Sequence, residues 1–213
     1  MAATKPAEAA EVIRRLEIEY PDARIALKYS NPLELLVATI LSAQCTDEMV
    51  NKVTRSLFAR YRTAEDYASA NLEEFEQEIR PTGFYHNKAR NVIATAKLII
   101  ANFGGEVPKT MAELITLPGV ARKTANIVLY NAYGVIEGIA VDTHVRRVSG
   151  RLWLTRENDP DKIEEDLMKQ VLRAKWGSFP YLLIEHGRAI CAAKKPKCEI
   201  CLLNDICPSA FKV

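Results

Sequence analysis

The 213-residue sequence has no long hydrophobic run and little glycine or proline (Gly 9, Pro 10). Its most apolar stretch, Leu33 to Ala43, is broken by Glu34 and falls far short of the roughly 18 apolar residues of a membrane-spanning helix. So sparse a glycine and proline content excludes a collagen-like or low-complexity chain. Five cysteines are too few for a disulfide-dense scaffold. Met1–Ala10 lacks the charged-then-apolar pattern of a signal peptide. These absences lead us to expect a soluble, cytoplasmic protein in which thiols stay reduced. Charge of one sign is also scarce: the formal net charge is +2, which neither demands nor excludes a polyanionic partner.

Its layout is uneven. Residues 63–79 carry six acids and no Lys or Arg, and 157–166 carry six acids against one Lys. Basic residues gather elsewhere: Lys88, Arg90 and Lys97, then Arg122-Lys123, Arg146-Arg147 and Lys194-Lys195-Lys197. Such segregation can give a nearly neutral protein a basic face, although solvated helix surfaces would produce the same pattern.

Periodicity is helical throughout. Leu33, Leu36, Val37, Ile40 and Leu41 form one apolar stripe, with Asn31 as N-cap and Pro32 as the first helical residue. The next helix begins near Thr46 and buries Val50, Val53, Leu57 and Phe58. Thr63 to Asp66 reads as a capping box, and Asn71 caps a segment with Phe75 and Ile79 inward. Tyr85–Phe103 is a long helix burying Val92, Ile93, Ala96, Ile99 and Ile100, stopped by Gly104-Gly105. Further helices are expected at 110–116, 121–133, 143–154, 160–174 and 179–190, and one at the start marked by Val12, Ile13 and Leu16. Ile136–Val141 is a strand or a buried linker. The fold class is all-α, with no repeat and no flexible tether, so any division into domains must come from packing.

Three features carry chemistry. Cys191, Cys198, Cys201 and Cys207 are spaced C-x6-C-x2-C-x5-C. Four thiolates this close suit a soft metal centre, and one close pair with two wider steps favours an iron–sulfur cluster over zinc. Lys194, Lys195 and Lys197 lie between the first two ligands, where they face phosphate or simply solvent. Cys45 stands apart as a small buried residue. His86, His144 and His186 show no ligand spacing and read as hydrogen-bonded structural histidines.

The second feature is Leu117-Pro118-Gly119-Val120-Ala121, a turn that opens a helix and aims backbone N–H groups at a positive dipole end, an anion site. Arg122 and Lys123 occupy the first turn of that helix, the unfavourable end for cations. Bound phosphate would neutralise them. Alternatively, the dipole and Arg122 disfavour a second charge on Lys123 and suit it to act as a neutral amine nucleophile. The third feature is Asp142, in Val141-Asp142-Thr143-His144. It is most simply an N-cap; following an apolar run, it also suits a general base or electrostatic partner.

In this order, Leu41-Ser42-Ala43-Gln44-Cys45-Thr46-Asp47, the 117–125 hairpin, Val141 to His144, His186-Gly187-Arg188 and the cysteine run together resemble the endonuclease III family. The resemblance runs from about residue 10 to residue 208. It implies a bifunctional DNA glycosylase and abasic-site lyase of the helix–hairpin–helix superfamily, monomeric and acting on double-stranded DNA. It implies a six-helix barrel at 25–135, and a second domain of 1–24 with 136–213 holding a [4Fe–4S] cluster on the four cysteines. The active site would lie in the cleft between them. Lys123 would be the nucleophile, Asp142 the catalytic carboxylate, and Gln44 the residue filling the gap left by a flipped base. Leu117, Gly119, Val120, Ala121 and Arg122 would form the phosphate-binding hairpin. The chain departs from the family pattern at Ala121, where a second glycine is usual, and at Phe84, where a leucine wedge is usual. A mismatch- or alkylated-base glycosylase, or a non-catalytic DNA-binding module with structural zinc, are the competing expectations.

Overall fold

The structure, a computed structural model, describes residues 5–213. The first four residues of the Met1–Ala10 stretch, and of the expected 1–24 segment, lie outside the described residues. Among the described residues there is no strand, and Ile136–Val141 is irregular.

The chain forms two compact units, one of Ala26–Val135 and one built from the chain up to Ile25 together with Ile136–Val213. In the first, α2 (Pro32–Leu41) starts at Asn31, whose side chain accepts from the Glu34 N–H. α3 (Asp47–Arg60) is capped by Thr46, α4 (Ala64–Ala68) by the Thr63–Asp66 capping box, and α5 (Leu72–Ile79) by Asn71. These short polar side chains satisfy N–H groups that have no partner inside the helix. A 3-10 turn over Arg80–Thr82 leads into α6 (Tyr85–Phe103), which ends at Gly104 in the left-handed region (φ 60°). α7 (Met111–Leu114) is a single turn, shorter than the expected 110–116, and α8 (Arg122–Tyr133) follows the hairpin. α6 packs against α4 and α5, and α8 against α2. The expected barrel interval thus contains seven α-helices and one 3-10 turn. Three apolar residues depart from expectation: Phe58 and Cys45 are only half-buried and Ile100 is exposed.

The second unit holds α1 (Ala9–Glu19), α9 (Thr143–Arg151), α10 (Pro160–Gln170) and α11 (Phe179–Ala189). Val12, Leu16, Val145, Val148, Ile163, Leu167, Phe179 and Leu183 form its core, and Cys191, Cys201 and Cys207 pack against that core. α9 stops short of the expected 154, because Leu152 caps it and Trp153 turns left-handed (φ 58°). α10 stops at Gln170, with a 3-10 turn at Arg173–Lys175 after it. Beyond α11 the chain has little regular structure apart from a 3-10 turn at Cys198–Ile200, so that segment cannot be held by its own helices.

Candidate active site and cluster site

The hairpin is built around Gly119. Leu117 N–H donates to the Leu114 carbonyl and Val120 N–H to the Leu117 carbonyl, while Thr95 Oγ1 donates to Pro118 O at 3.0 Å. Gly119 has φ +78°, and a Cβ there would stand 2.7 Å from Asn91 Nδ2, so both conformation and space require glycine. Leu117 and Val120 are buried and their N–H groups are committed inside the turn, so these two residues shape the hairpin. Gly119 and Ala121 are the exposed residues of the turn. Ala121 adopts φ −87°, ψ 171° and is exposed, a conformation open to any residue. The departure from a second glycine therefore imposes no backbone strain. Arg122 is half-buried and Lys123, next in the first turn of α8, is exposed.

In the same unit, Gln44 and Phe84 are exposed and both left-handed, at φ 53° and 48°. Phe84 immediately precedes α6, with two-thirds of its surface (66%) open. A non-glycine residue in this region is uncommon and marks a local constraint. Lys88, in the first turn of α6, does not join a basic face as the charge pattern suggested. Lys88 is 4% exposed, and its Nζ donates to Leu41 O at 2.7 Å and Thr82 O at 2.8 Å. Burial pushes its pKa down, opposed by the nearby Cys45 sulfur.

In the other unit, Asp142 is half-buried and caps α9: its Oδ1 accepts from the Val145 N–H at 2.8 Å. Arg147 is likewise committed internally. It donates to the carbonyls of Gly187 (2.9 Å) and Cys191 (3.1 Å) and contacts His144 Nδ1 at 3.1 Å. Gly187 lies so close to His144 and Arg147 that a Cβ would come within 2.9 Å of the imidazole. All three histidines have polar partners: Glu76 for His86, Arg147 for His144, Tyr20 and Cys201 for His186.

Cys191, Cys198, Cys201 and Cys207 line one pocket with Arg151, Leu152, His186 and Leu203. Four thiols lining one pocket are the donor chemistry that suits a sulfur-ligated iron centre. Burial pushes the Cys201 thiol up to about 11 and raises Cys207 as well; a bound metal centre supplies the positive charge that lets such thiols ionise. Arg15 pins the far side of the segment, donating to Leu202 O at 2.8 Å and pairing with Asp205. Lys194, Lys195 and Lys197 project from the loop into solvent. The sequence pattern alone did not single out Lys88, Arg15 or Arg151. For Lys88 a signal existed, since it lies four residues before Val92 and eight before Ala96, on the apolar stripe of α6.

Residues 37–173 match the HhH-GPD superfamily of base excision DNA repair proteins, and 191–207 match the iron–sulfur binding domain of endonuclease III. The chain is 52% identical to endonuclease III of Synechocystis over 98% of its length and 95% of the relative's. Against the Bacillus subtilis endonuclease III the figures are 48%, 91% and 88%. This chain belongs to the endonuclease III family. A solved endonuclease III–DNA non-covalent complex superposes with TM-score 0.90 at 44% identity, covering 94% of both chains. A trapped endonuclease III–DNA covalent intermediate gives 0.91 with the same identity and coverage. A thermostable thymine-DNA glycosylase is more distant, with TM-score 0.83 at 26% identity and 96% coverage of both chains. This family member is therefore a base excision DNA repair protein with an iron–sulfur binding region at 191–207.

Proposed function

We propose that this chain excises oxidised pyrimidines of the thymine glycol type from double-stranded DNA through Lys123 and then cleaves the strand. Glycosylase and lyase activities belong to the family. The residue assignments rest on one observation above the rest, an exposed lysine in the first turn of the helix that the Gly119 hairpin opens. A hairpin that presents backbone donors to phosphate positions DNA without reading its sequence, and it brings an amine to the sugar beside that phosphate. The target base is rotated out of the stack. Lys123 Nζ attacks C1′, the glycosidic electron pair leaves with the base, and the base takes up a proton. The amine then gives up a proton as the C1′–O4′ bond breaks and O4′ is protonated, forming a C1′=Nζ Schiff base; this acidifies C2′–H, loss of that proton expels the 3′ phosphate, and hydrolysis frees the lysine. Asp142 stabilises the positive charge that develops on the sugar and accepts protons. Gln44 and Phe84 enter the space vacated in the duplex, and Lys194, Lys195 and Lys197 contact backbone phosphate. The four cysteines hold the cluster, whose role in this reading is to fix the C-terminal segment. The chain acts as a monomer, and its place is the cytoplasm.

Borohydride reduces a Schiff base to a stable amine, so it should join the enzyme covalently to duplex DNA carrying thymine glycol or an abasic site. Lys123→Ala should abolish the adduct; an undiminished one removes Lys123 from the chemistry. The more distant thymine-DNA glycosylase likeness keeps mismatched thymine as the second substrate to include, and single-lesion duplexes compared side by side separate the two.

A further inference from the structure

Lys88 is a buried cation with no place in the chemistry above. It sits in the first turn of α6, the wrong end of a helix for a positive charge, and burial of an ammonium is costly unless it has hydrogen-bond acceptors. Its two acceptors are informative. Leu41 O belongs to the last residue of α2, one of the carbonyls that a helix C-terminus leaves without an internal donor. Thr82 O ends the 3-10 turn before α6. Three residues beyond Leu41 stands Gln44, and two beyond Thr82 stands Phe84, both left-handed and both exposed. One ammonium thus ties together two turns far apart in sequence, two or three residues before the residue that each turn holds in an unfavourable conformation. Such conformations persist only where the surroundings over-determine them.

We propose that Lys88 is a positioning residue that locks the Gln44 and Phe84 turns into one pre-set pair of duplex probes. It touches no DNA itself. The inference rests on the reading that Gln44 and Phe84 enter the duplex. A neutral side chain at 88 leaves both carbonyls without their common donor, lets each turn relax separately, and leaves the DNA to order them on binding. Pre-organisation is lost in base opening, so the effect falls on kcat for duplex substrates more than on KM.

The test uses holoenzyme carrying Lys88→Met, Gln44→Ala, Phe84→Ala, and Lys88→Met combined with Phe84→Ala. Base opening is read from the fluorescence of 2-aminopurine beside the lesion, and excision from kcat and KM on a thymine glycol duplex. Lys88→Met should lower kcat roughly 10- to 100-fold, suppress the fluorescence rise, and leave KM and borohydride trapping on a single-stranded abasic oligonucleotide within about twofold. Adding Lys88→Met to Phe84→Ala should then cost far less than it does alone, because the probe it positions is already gone. If Gln44→Ala and Phe84→Ala impair opening while Lys88→Met does not, the positioning role is wrong and the probe reading stands. If neither probe variant impairs opening, both fail. Equal losses on single-stranded and duplex substrates overturn the role too. Should Lys88→Met misfold, Lys88→Gln, which keeps one amide donor, takes its place; misfolding of both assigns Lys88 to stability alone and overturns the proposal.

Discussion

Arg151 Nη1 donates to Cys191 Sγ at 3.2 Å, and the same guanidinium reaches the carbonyls of Ala192 at 2.7 Å and Ala193 at 3.1 Å. The last residue of α9 therefore holds both Cys191, a proposed cluster ligand, and the loop that follows it. Hydrogen bonds to a ligand sulfur orient it and delocalise its charge, and losing such an outer partner commonly weakens a metal site about 10- to 100-fold. Arg151→Met keeps much of the side-chain bulk without the donors. It should speed iron loss to a chelator by about tenfold, read as decay of the visible absorbance. A decay rate equal to wild type would show that the contact does not hold the ligand.

Gly119 and Asn91 define the tightest point of the hairpin. Gly119→Ala puts a Cβ 2.7 Å from Asn91 Nδ2 and 3.1 Å from its Cβ and Cγ, in a left-handed backbone. Strain and overpacking together should cost about 2 kcal/mol, roughly 4–8 °C in Tm for a chain of this size. Adding Asn91→Ala removes the obstruction but not the φ penalty, so thermal melting should recover only in part. Full recovery would mean that space alone requires glycine there; none would mean that conformation alone does.

The caps were legible because each is a local rule. Asn31, Thr63 and Asn71 accept the N–H groups their sequence positions assign them. The cysteine spacing was legible for the same reason, since ligand chemistry confines four thiolates to a short segment. Side-chain charge was not. Lys88 and Arg147 belong to basic clusters in sequence, yet both are consumed by main-chain carbonyls contributed by distant segments, and no local pattern names a carbonyl as a partner. Arg15 reaches Leu202 and Asp205 for the same non-local reason. Helix ends at Arg151 and Gln170 were overrun because the apolar period continues through Leu152, Leu154 and Val171, which are buried in irregular chain.

Glu11 sets the acid response of α1. Its carboxylate accepts from Arg14 and Arg15, and those hydrogen bonds hold its pKa down at about 2 against an ordinary 4.5. A carboxyl depressed on folding contributes stability at pH above its unfolded value, and loses that contribution as pH falls toward the folded one. Glu11→Gln should therefore lower the melting temperature near neutrality, with the gap from wild type closing between pH 4.5 and 2. Exposed pairs are screened by salt, so concentrated salt should shrink the gap at neutral pH. A gap that widens on acidification would contradict the assignment.

Asp142 carries two roles that one substitution separates. Its Oδ1 caps α9, and asparagine caps a helix about as well as aspartate. Asp142→Asn should therefore leave thermal stability nearly unchanged, whereas Asp142→Ala should cost about 1 kcal/mol through loss of the cap. Only the carboxylate can take up a proton or balance positive charge on the sugar, so both variants should lose base removal by roughly 10²- to 10⁴-fold. Single-turnover excision from a thymine glycol duplex, paired with melting curves, distinguishes the roles. If Asp142→Asn excises at the wild-type rate while Asp142→Ala is merely less stable, the carboxylate is a helix cap and nothing more. If the two variants fall together in activity and differ only in stability, the cap and the chemistry are separate uses of one side chain.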